Sequence, residues 1–330
     1  MSTGYWERLL NSRRKAVSEM AVFLGIDTSN YTTSAALYDT DGTMIQRKKL
    51  LPVKSGTCGL RQSDAVFHHV QQLPVILEDL LGDFHGTLTA VGVSSRPRDA
   101  EGSYMPCFTV GLSAARAIAA VQRLPLYQFS HQSGHIAAAV YSSGHTDLLE
   151  RRFLAFHVSG GTTEAVLVIP DQEKLFTVEL AAHTLDLNAG QLIDRVGVML
   201  GLDFPCGKAL EELAATVPWP KAKATLKGAD CCLSGIENVC RHAYESGSSK
   251  EETAALCFAY VEKTLSGMCH ELLQTYGDLP ILFAGGVMSN RLMRSRLSAG
   301  RTVYFAEPVF SADNAAGTAF LCASVHAADH

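Results

Sequence analysis

A duplicated α/β fold of two domains is what this sequence predicts, and three observations predict it. An apolar–turn–apolar segment near the start occurs again further along at a fixed offset. Short apolar runs alternate with helical patterns through the rest of the chain, the order that builds α/β domains. The chain has 330 residues, 47% hydrophobic and 18% charged, enough for two domains with a core in each.

The repeat is the most informative of the three. Residues 23–41 read FLGIDTSNYTTSAALYDTD and residues 153–171 read FLAFHVSGGTTEAVLVIPD. At a constant offset of 130 residues, Phe23, Leu24, Ser29, Thr32, Thr33, Ala35 and Asp41 meet Phe153, Leu154, Ser159, Thr162, Thr163, Ala165 and Asp171. Each copy reads as two antiparallel strands joined by a tight Ser/Thr/Gly turn. Backbone N–H groups and hydroxyls in such turns can hold phosphate. Two copies, each opening an α/β domain, give the architecture of actin, hexokinase-type sugar kinases and their relatives (the ASKHA, ribonuclease H-like folds). The expectation is two domains around a nucleotide-binding cleft.

Other elements follow from periodicity and punctuation. Helices are expected at Ala65–Leu81 (interrupted at Pro74), Thr109–Arg123, His131–Tyr141, Ala189–Leu200, Gly207–Ala215, Glu251–Tyr276, Ser289–Leu297 and Ala312–Val325. Strands are expected at Ala90–Ser94, Leu126–Phe129, Ile281–Phe283 and Thr302–Phe305. The organisation reads as an N-terminal extension over 1–19, a first domain over 20–145 and a second over 146–330. The join falls near Ser142–Glu150, and the last helix is a candidate to pack back on the first domain.

Net charge is −5 and the pI is near 6.2, so any RNA role must use a local patch or borrow charge from a partner. Nine cysteines, with no CxxC, read as reduced thiols rather than a disulfide framework or zinc knuckle. No apolar run is long enough to span a membrane and no secretion signal opens the chain, so a cytoplasmic protein without membrane contact is expected.

Four local signals could carry chemistry. His131 and His135, four residues apart on one helical face, could share a metal ion, although HxxxH also arises by chance. Ser159-Gly160-Gly161-Thr162-Thr163 could let a phosphate or acyl group approach the backbone, or simply turn a hairpin. Phe283-Ala284-Gly285-Gly286-Val287, leading through Ser289-Asn290-Arg291 into a helix, fits a nucleotide contact or a plain strand–helix loop. Asp313, in the expected first turn of a helix with Ser311 as N-cap, is either dipole compensation or a third metal ligand. Two histidines and one carboxylate would leave open metal positions.

These signals occur together, with others, in one order. Leu24-Gly-Ile-Asp-Thr-Ser29, the His131/His135 pair and Val158-Ser-Gly-Gly-Thr-Thr163 come first. Asn188-Ala-Gly-Gln-Leu-Ile-Asp194, Leu202-Asp-Phe-Pro-Cys-Gly207, Leu233-Ser-Gly-Ile236, Ala284-Gly-Gly-Val-Met-Ser-Asn290 and Asp313-Asn-Ala-Ala316 follow. In this the chain resembles the TsaD family of threonylcarbamoyl transferases, from about Val22 to Ser324. The resemblance implies metal ligands at His131, His135 and Asp313. It implies nucleotide and substrate contacts at His157, Val158, Ser159, Gly160, Gly161, Asp194, Gly207 and Asn290. It implies one divalent metal (Fe first, then Zn, Mn or Mg) and an adenine nucleotide, threonylcarbamoyl-AMP or ATP/ADP. It also implies tRNA as acceptor, modified at N6 of the adenosine beside the anticodon, and small TsaB- and TsaE-like partner proteins.

The chain departs from the family pattern in its binding turns. Asp27-Thr-Ser-Asn30-Tyr31-Thr32 stands for Glu-Thr-Ser-Cys-Asp and an acid. Thr162 stands for His, Cys206 for Gly and Gln191 for an acid, and Ser95–Gly102 replaces a Gly-Pro-Gly-type loop. Two alternatives therefore stay open at this level: a paralogue that carbamoylates a small molecule, and a non-catalytic partner subunit. A metalloprotease is poorly supported, because no HExxH is present and no Glu is spaced to serve as its general base.

Overall fold

The computed structural model describes residues 21–29, 31–52, 60–82, 84, 86–310 and 315–329. The expected 1–19 extension, Asn30, Ser311 and Asp313 lie outside the described residues. The chain divides into two compact units, Met1–Gly134 with Asp313–His330, and His135–Ala312.

The first unit carries β1 (Val22–Asp27), β2 (Thr32–Asp39), β3 (Met44–Leu50), α1 (Gln62–Gly82), β4 (Leu88–Arg96), α2 (Phe108–Gln122) and β5 (Leu126–Ser130). Helix α3 (His131–Ser143) follows β5 directly. The sheet order is β3-β2-β1-β4-β5, antiparallel through the first three strands and parallel across β1, β4 and β5. Strand β1 is buried along its whole length because both faces are covered. Leu24 and Ile26 pack with Leu73, Val91 and Ala115. On the other face Phe23 and Ala90 pack with Cys322 and Ala323 of the last helix, α9 (Ala316–Asp329). Gly25 permits this approach, since a Cβ there would sit 2.5 Å from the Ala319 amide nitrogen.

The second unit repeats the design with β6 (Phe153–Val158), β7 (Thr163–Asp171), β8 (Leu175–His183), β11 (Ile281–Ala284) and β12 (Val303–Phe305), in the order β12-β11-β6-β7-β8. Between β8 and β11 lie α4 (Ala189–Met199), α5 (Gly207–Ala214), the small hairpin β9 (Leu226–Lys227) and β10 (Asp230–Cys231), α6 (Ser234–Glu245) and α7 (Lys250–Tyr276). Helix α8 (Arg291–Leu297) joins β11 to β12. Ser249 and Glu252 close a reciprocal capping box at the start of α7. The core gathers Leu154, Phe156 and Val158 against Leu192, Phe258 and Leu265.

The 130-residue offset survives in the strand register. Phe23 faces Tyr38 and Asp27 faces Ser34 in the first hairpin. Phe153 faces Val168 and His157 faces Glu164 in the second. The duplicated α/β reading therefore holds down to individual pairs.

Several expectations change. Helix α1 runs through Pro74 without a break, losing one intrahelical hydrogen bond but keeping its apolar face on the core. The last helix starts at Ala316 rather than 312, and α8 starts at Arg291 after a 3₁₀ turn over Gly286–Ser289. Strands β3 and β8, the hairpin β9–β10 and helix α6 were not expected. Strand β3 reads MIQRKKL, a charged edge strand with no apolar alternation. The eight cysteines among the described residues are free, and no helix among them is long and apolar enough to cross a membrane.

Candidate functional site

The second unit brings most of the expected contact residues together, and its sheet explains why. Strands β6 and β11 are parallel neighbours with Ala284 opposite His157, so their C-terminal turns emerge side by side. Gly285 takes φ +100°, and a Cβ there would meet the Val158 carbonyl oxygen at 2.3 Å. The two Gly-rich turns are thus in backbone contact. The first is closed by Ser159, whose amide donates to the Thr162 carbonyl (2.7 Å) and whose Oγ accepts from Gly161 N–H (3.2 Å) and Thr162 N–H (3.1 Å). Among the described residues, Gly160, Gly161 and Gly286 have nothing within 4 Å of where a Cβ would lie. These faces of the turns can be approached by a ligand.

Helix α4 points its N-terminus at the first turn. Ala189 N–H donates to Thr163 Oγ1 (2.9 Å) and Gly190 N–H to the Ser159 carbonyl (3.1 Å). Gly190 is required, since a Cβ would lie 2.6 Å from the Gly160 nitrogen. Gln191 completes a capping box with Asn188, a job its amide does as well as an acid would. One turn on, Asp194 Oδ1 accepts the Cys206 amide at 2.8 Å, fixing the turn that leads through Gly207 into α5. Cys206 itself is fully buried against Gly197. Asp194 also lines a pocket of about 620 Å³ with Gln191, Arg195, Val198, Phe204 and Glu237.

Asn290 is the most telling side chain of this group. It is 5% exposed, and its Oδ1 accepts Met293 N–H at 2.9 Å as the N-cap of α8. That bond fixes the amide orientation and leaves Nδ2 as a buried donor with no partner among the described residues. Buried donors are rarely left so, and one beside a glycine turn can receive an acceptor from outside. Beside it Glu211 of α5 accepts the Arg291 amide at 2.7 Å.

In the first unit, His131 Nδ1 bonds Asp27 Oδ2 at 2.8 Å. Asp27 is 1% exposed, and its Oδ1 also accepts from the Ser29 amide at 2.8 Å. Burial pushes its carboxyl up, but the charge of His131 and hydrogen bonds from His131, Ser29 and Ser94 outweigh burial and hold it below the ordinary value. A carboxylate on Nδ1 selects the tautomer whose Nε2 lone pair can ligate a metal. His131 and His135 lie one turn apart on α3, and the His135 ring meets the His157 ring edge-on at 4.9 Å. Asp313, the third expected ligand, lies outside the described residues. Among the described residues no cluster of three His, Cys, Asp or Glu side chains forms a metal-ready group.

The loop that departs from the family pattern anchors the start of α3. Asp99 Oδ2 accepts from Ser130 Oγ (2.9 Å) and Ser133 Oγ (2.8 Å), and the Gln132 amide donates to the Pro97 carbonyl (3.0 Å).

The sequence model of the family described as "TsaD: tRNA N6-adenosine threonylcarbamoyltransferase" matches residues 53–320. The chain belongs to the TsaD family. Proteins named tRNA N6-adenosine threonylcarbamoyltransferase are its relatives. The one from Lactiplantibacillus plantarum is 31% identical over 243 residues, 70% of this chain and 66% of that protein. The one from Enterococcus faecalis is 30% identical, covering 84% of this chain and 81% of that protein. The one from Halalkalibacterium halodurans is 30% identical, covering 89% and 85%. Among solved structures, full-length HypF in a phosphate- and nucleotide-bound form superposes with TM-score 0.56 at 14% identity, over 93% of this chain and 46% of HypF. Component A of the Acidaminococcus fermentans (R)-2-hydroxyglutaryl-CoA dehydratase gives 0.52 at 15% identity, over 94% and 100%. The Streptomyces griseus ROK glucokinase gives 0.50 at 12%, over 92% and 100%. These likenesses establish the duplicated sugar-kinase-type fold of this TsaD-family chain.

Sequence reasoning missed the roles of three contributors. Asp27 stands in the Leu24–Ser29 motif, but its partner His131 is 104 residues away. Gly190 stands in the Asn188–Asp194 motif, but its role appears only where α4 meets Gly160. Glu211 carries no motif of its own and gains its role from the Arg291 amide, 80 residues on.

Proposed function

We propose that this chain moves a threonylcarbamoyl group from threonylcarbamoyl-AMP to N6 of the adenosine beside the anticodon of certain tRNAs, with the adenylate held in the second unit. The observation that carries this reading is the unpartnered Nδ2 of buried Asn290 beside the touching turns at Ser159–Gly161 and Gly285–Gly286. The glycine faces that nothing covers would receive the AMP phosphate, Asn290 Nδ2 would donate to the ribose or base, and Asp194 would use its second oxygen on a hydroxyl. His157 and Val158 bring the first turn to this place, and Gly207 opens α5 beside it.

The reaction needs little general base. N6 attacks the carbamoyl carbon, the carbonyl electrons move to oxygen, and the collapsing intermediate expels AMP with the bonding pair while N6 loses its proton. Positioning the weak aromatic amine and holding the charge on AMP are the main tasks. The donor set His131, His135 and Asp313 suits a divalent ion, iron first by family and zinc, manganese or magnesium by chemistry. When bound, that ion would supply Lewis acidity to an oxygen of the threonylcarbamoyl group. Asp27 would hold His131 in the ligating tautomer. TsaB- and TsaE-like partners and a cytoplasmic setting follow from the same family reading.

Asn290→Asp tests the nucleotide role. The variant keeps the Oδ1 cap and so the stability of α8, but loses the donor. Isothermal titration with ADP or AMP should show a Kd raised at least tenfold with Tm near wild type. An unchanged Kd would remove Asn290 from the site.

A further inference from the structure

The chain is acidic, yet two segments that the fold brings together hold no Asp or Glu. Residues 213–229 carry three Lys and residues 279–306 carry four Arg. The fold packs them together. The Arg296 guanidinium lies 4.0 Å from the Trp219 ring centroid. Thr225 N–H donates to Thr264 Oγ1 (3.2 Å) and Arg301 Nη1 to Ser266 Oγ (3.0 Å), so both segments meet the same turn of α7.

Three of the seven cations face partners within the fold. Lys227 sits opposite Asp230 in the β9–β10 hairpin. Arg294 donates inward to the Met288 and Ala306 carbonyls, and Arg301 donates to the Ser266 hydroxyl and carbonyl. The other four are Lys221, Lys223, Arg291 and Arg296, the last with Nη1 on the Leu292 carbonyl. Lys221, Lys223 and Arg291 are exposed, and Arg296 is half-buried. Arg291 directly follows Asn290, so the surface begins at the nucleotide turn.

We propose that this surface, from Arg291 past Arg296 on Trp219 to Lys221 and Lys223, is the track on which the second unit holds the phosphate backbone of its RNA substrate. The inference rests on the transferase reading and adds to it the place of RNA contact. A polyanion is the complementary partner, because exposed Lys221, Lys223 and Arg291 with the Arg296–Trp219 stack form a locally cationic strip on a chain of net charge −5. Cations at the edge of the nucleotide turn would also lead the acceptor strand toward the adenylate. The half-buried guanidinium on Trp219 is pre-ordered, which lowers the entropy lost on binding.

The test is tRNA binding against salt, with the full chain alone and with its partner proteins. Lys221→Ala/Lys223→Ala and Lys221→Glu/Lys223→Glu are compared with wild type. Both lysines are exposed, so folding should be intact and the ADP Kd unchanged. The expected result is a slope of log K against log[salt] reduced by about 1.4–1.8 in the alanine variant, from about 0.7–0.9 for each of two lost phosphate contacts. A KM for tRNA raised at least tenfold with kcat held should accompany it. Wild-type slope and KM in both variants would overturn the assignment. So would loss of a partner protein with tRNA affinity intact. Wild-type protein that binds ADP but neither binds nor modifies tRNA would instead sink the transferase reading, and the track with it.

Discussion

Gly285→Ala is expected to abolish nucleotide binding and to cost the second unit about 3 kcal/mol or more. Two physical terms add. The backbone there sits at φ +100°, where an L side chain costs about 1–2 kcal/mol. The new Cβ would lie 2.3 Å from the Val158 carbonyl oxygen, and making room between two backbones costs about 1–3 kcal/mol more. The displacement separates the two turns whose contact forms the site. Thermal unfolding should show a Tm lowered by roughly 6 °C or more, and ADP titration no saturable binding. Gly286→Ala is the control, since nothing lies within 4 Å of its Cβ. It should leave Tm unchanged and weaken ADP alone. Wild-type Tm and Kd in Gly285→Ala would mean the turns do not need their contact.

Asp27→Asn should lower metal affinity by about 10–100-fold without unfolding the protein. Asp27 is buried and its Oδ2 accepts the His131 Nδ1 proton at 2.8 Å, which leaves Nε2 as the ligating nitrogen. An asparagine amide can donate to Nδ1 instead and stabilise the tautomer that carries its proton on Nε2, which cannot ligate. Titration of metal-free protein with Zn²⁺ or Mn²⁺ reads this directly, apart from any catalysis. An unchanged metal Kd would show that Asp27 serves packing only.

Much of this was legible in the sequence, and the reasons are specific. The 130-residue repeat predicted two hairpins in one register because side-chain alternation and turn chemistry are local, and Phe23 and Phe153 occupy equivalent rungs. The glycine turns were legible because only glycine allows such close backbone approach. Strand β3 was not, because a charged edge strand obeys solvent rather than a core. Pro74 suggested a break that packing overrode. The Asp27–His131 bond and the orphaned Asn290 donor could not be read at all, since each depends on what the fold sets beside or withholds from one atom. The cationic track needed both: its lysines and arginines stand in two distant segments of the sequence, and the Arg296–Trp219 stack and the shared turn of α7 join them.

The most direct test of the central claim is a transfer assay. Purified chain, threonylcarbamoyl-AMP and unmodified tRNA are incubated with and without the family's partner proteins, and N6-threonylcarbamoyladenosine is measured by mass spectrometry. The account predicts modified adenosine beside the anticodon, formed with release of one AMP per modification. No modified adenosine, from protein that still binds ADP and metal with all partners present, would contradict it and assign this fold a different acceptor.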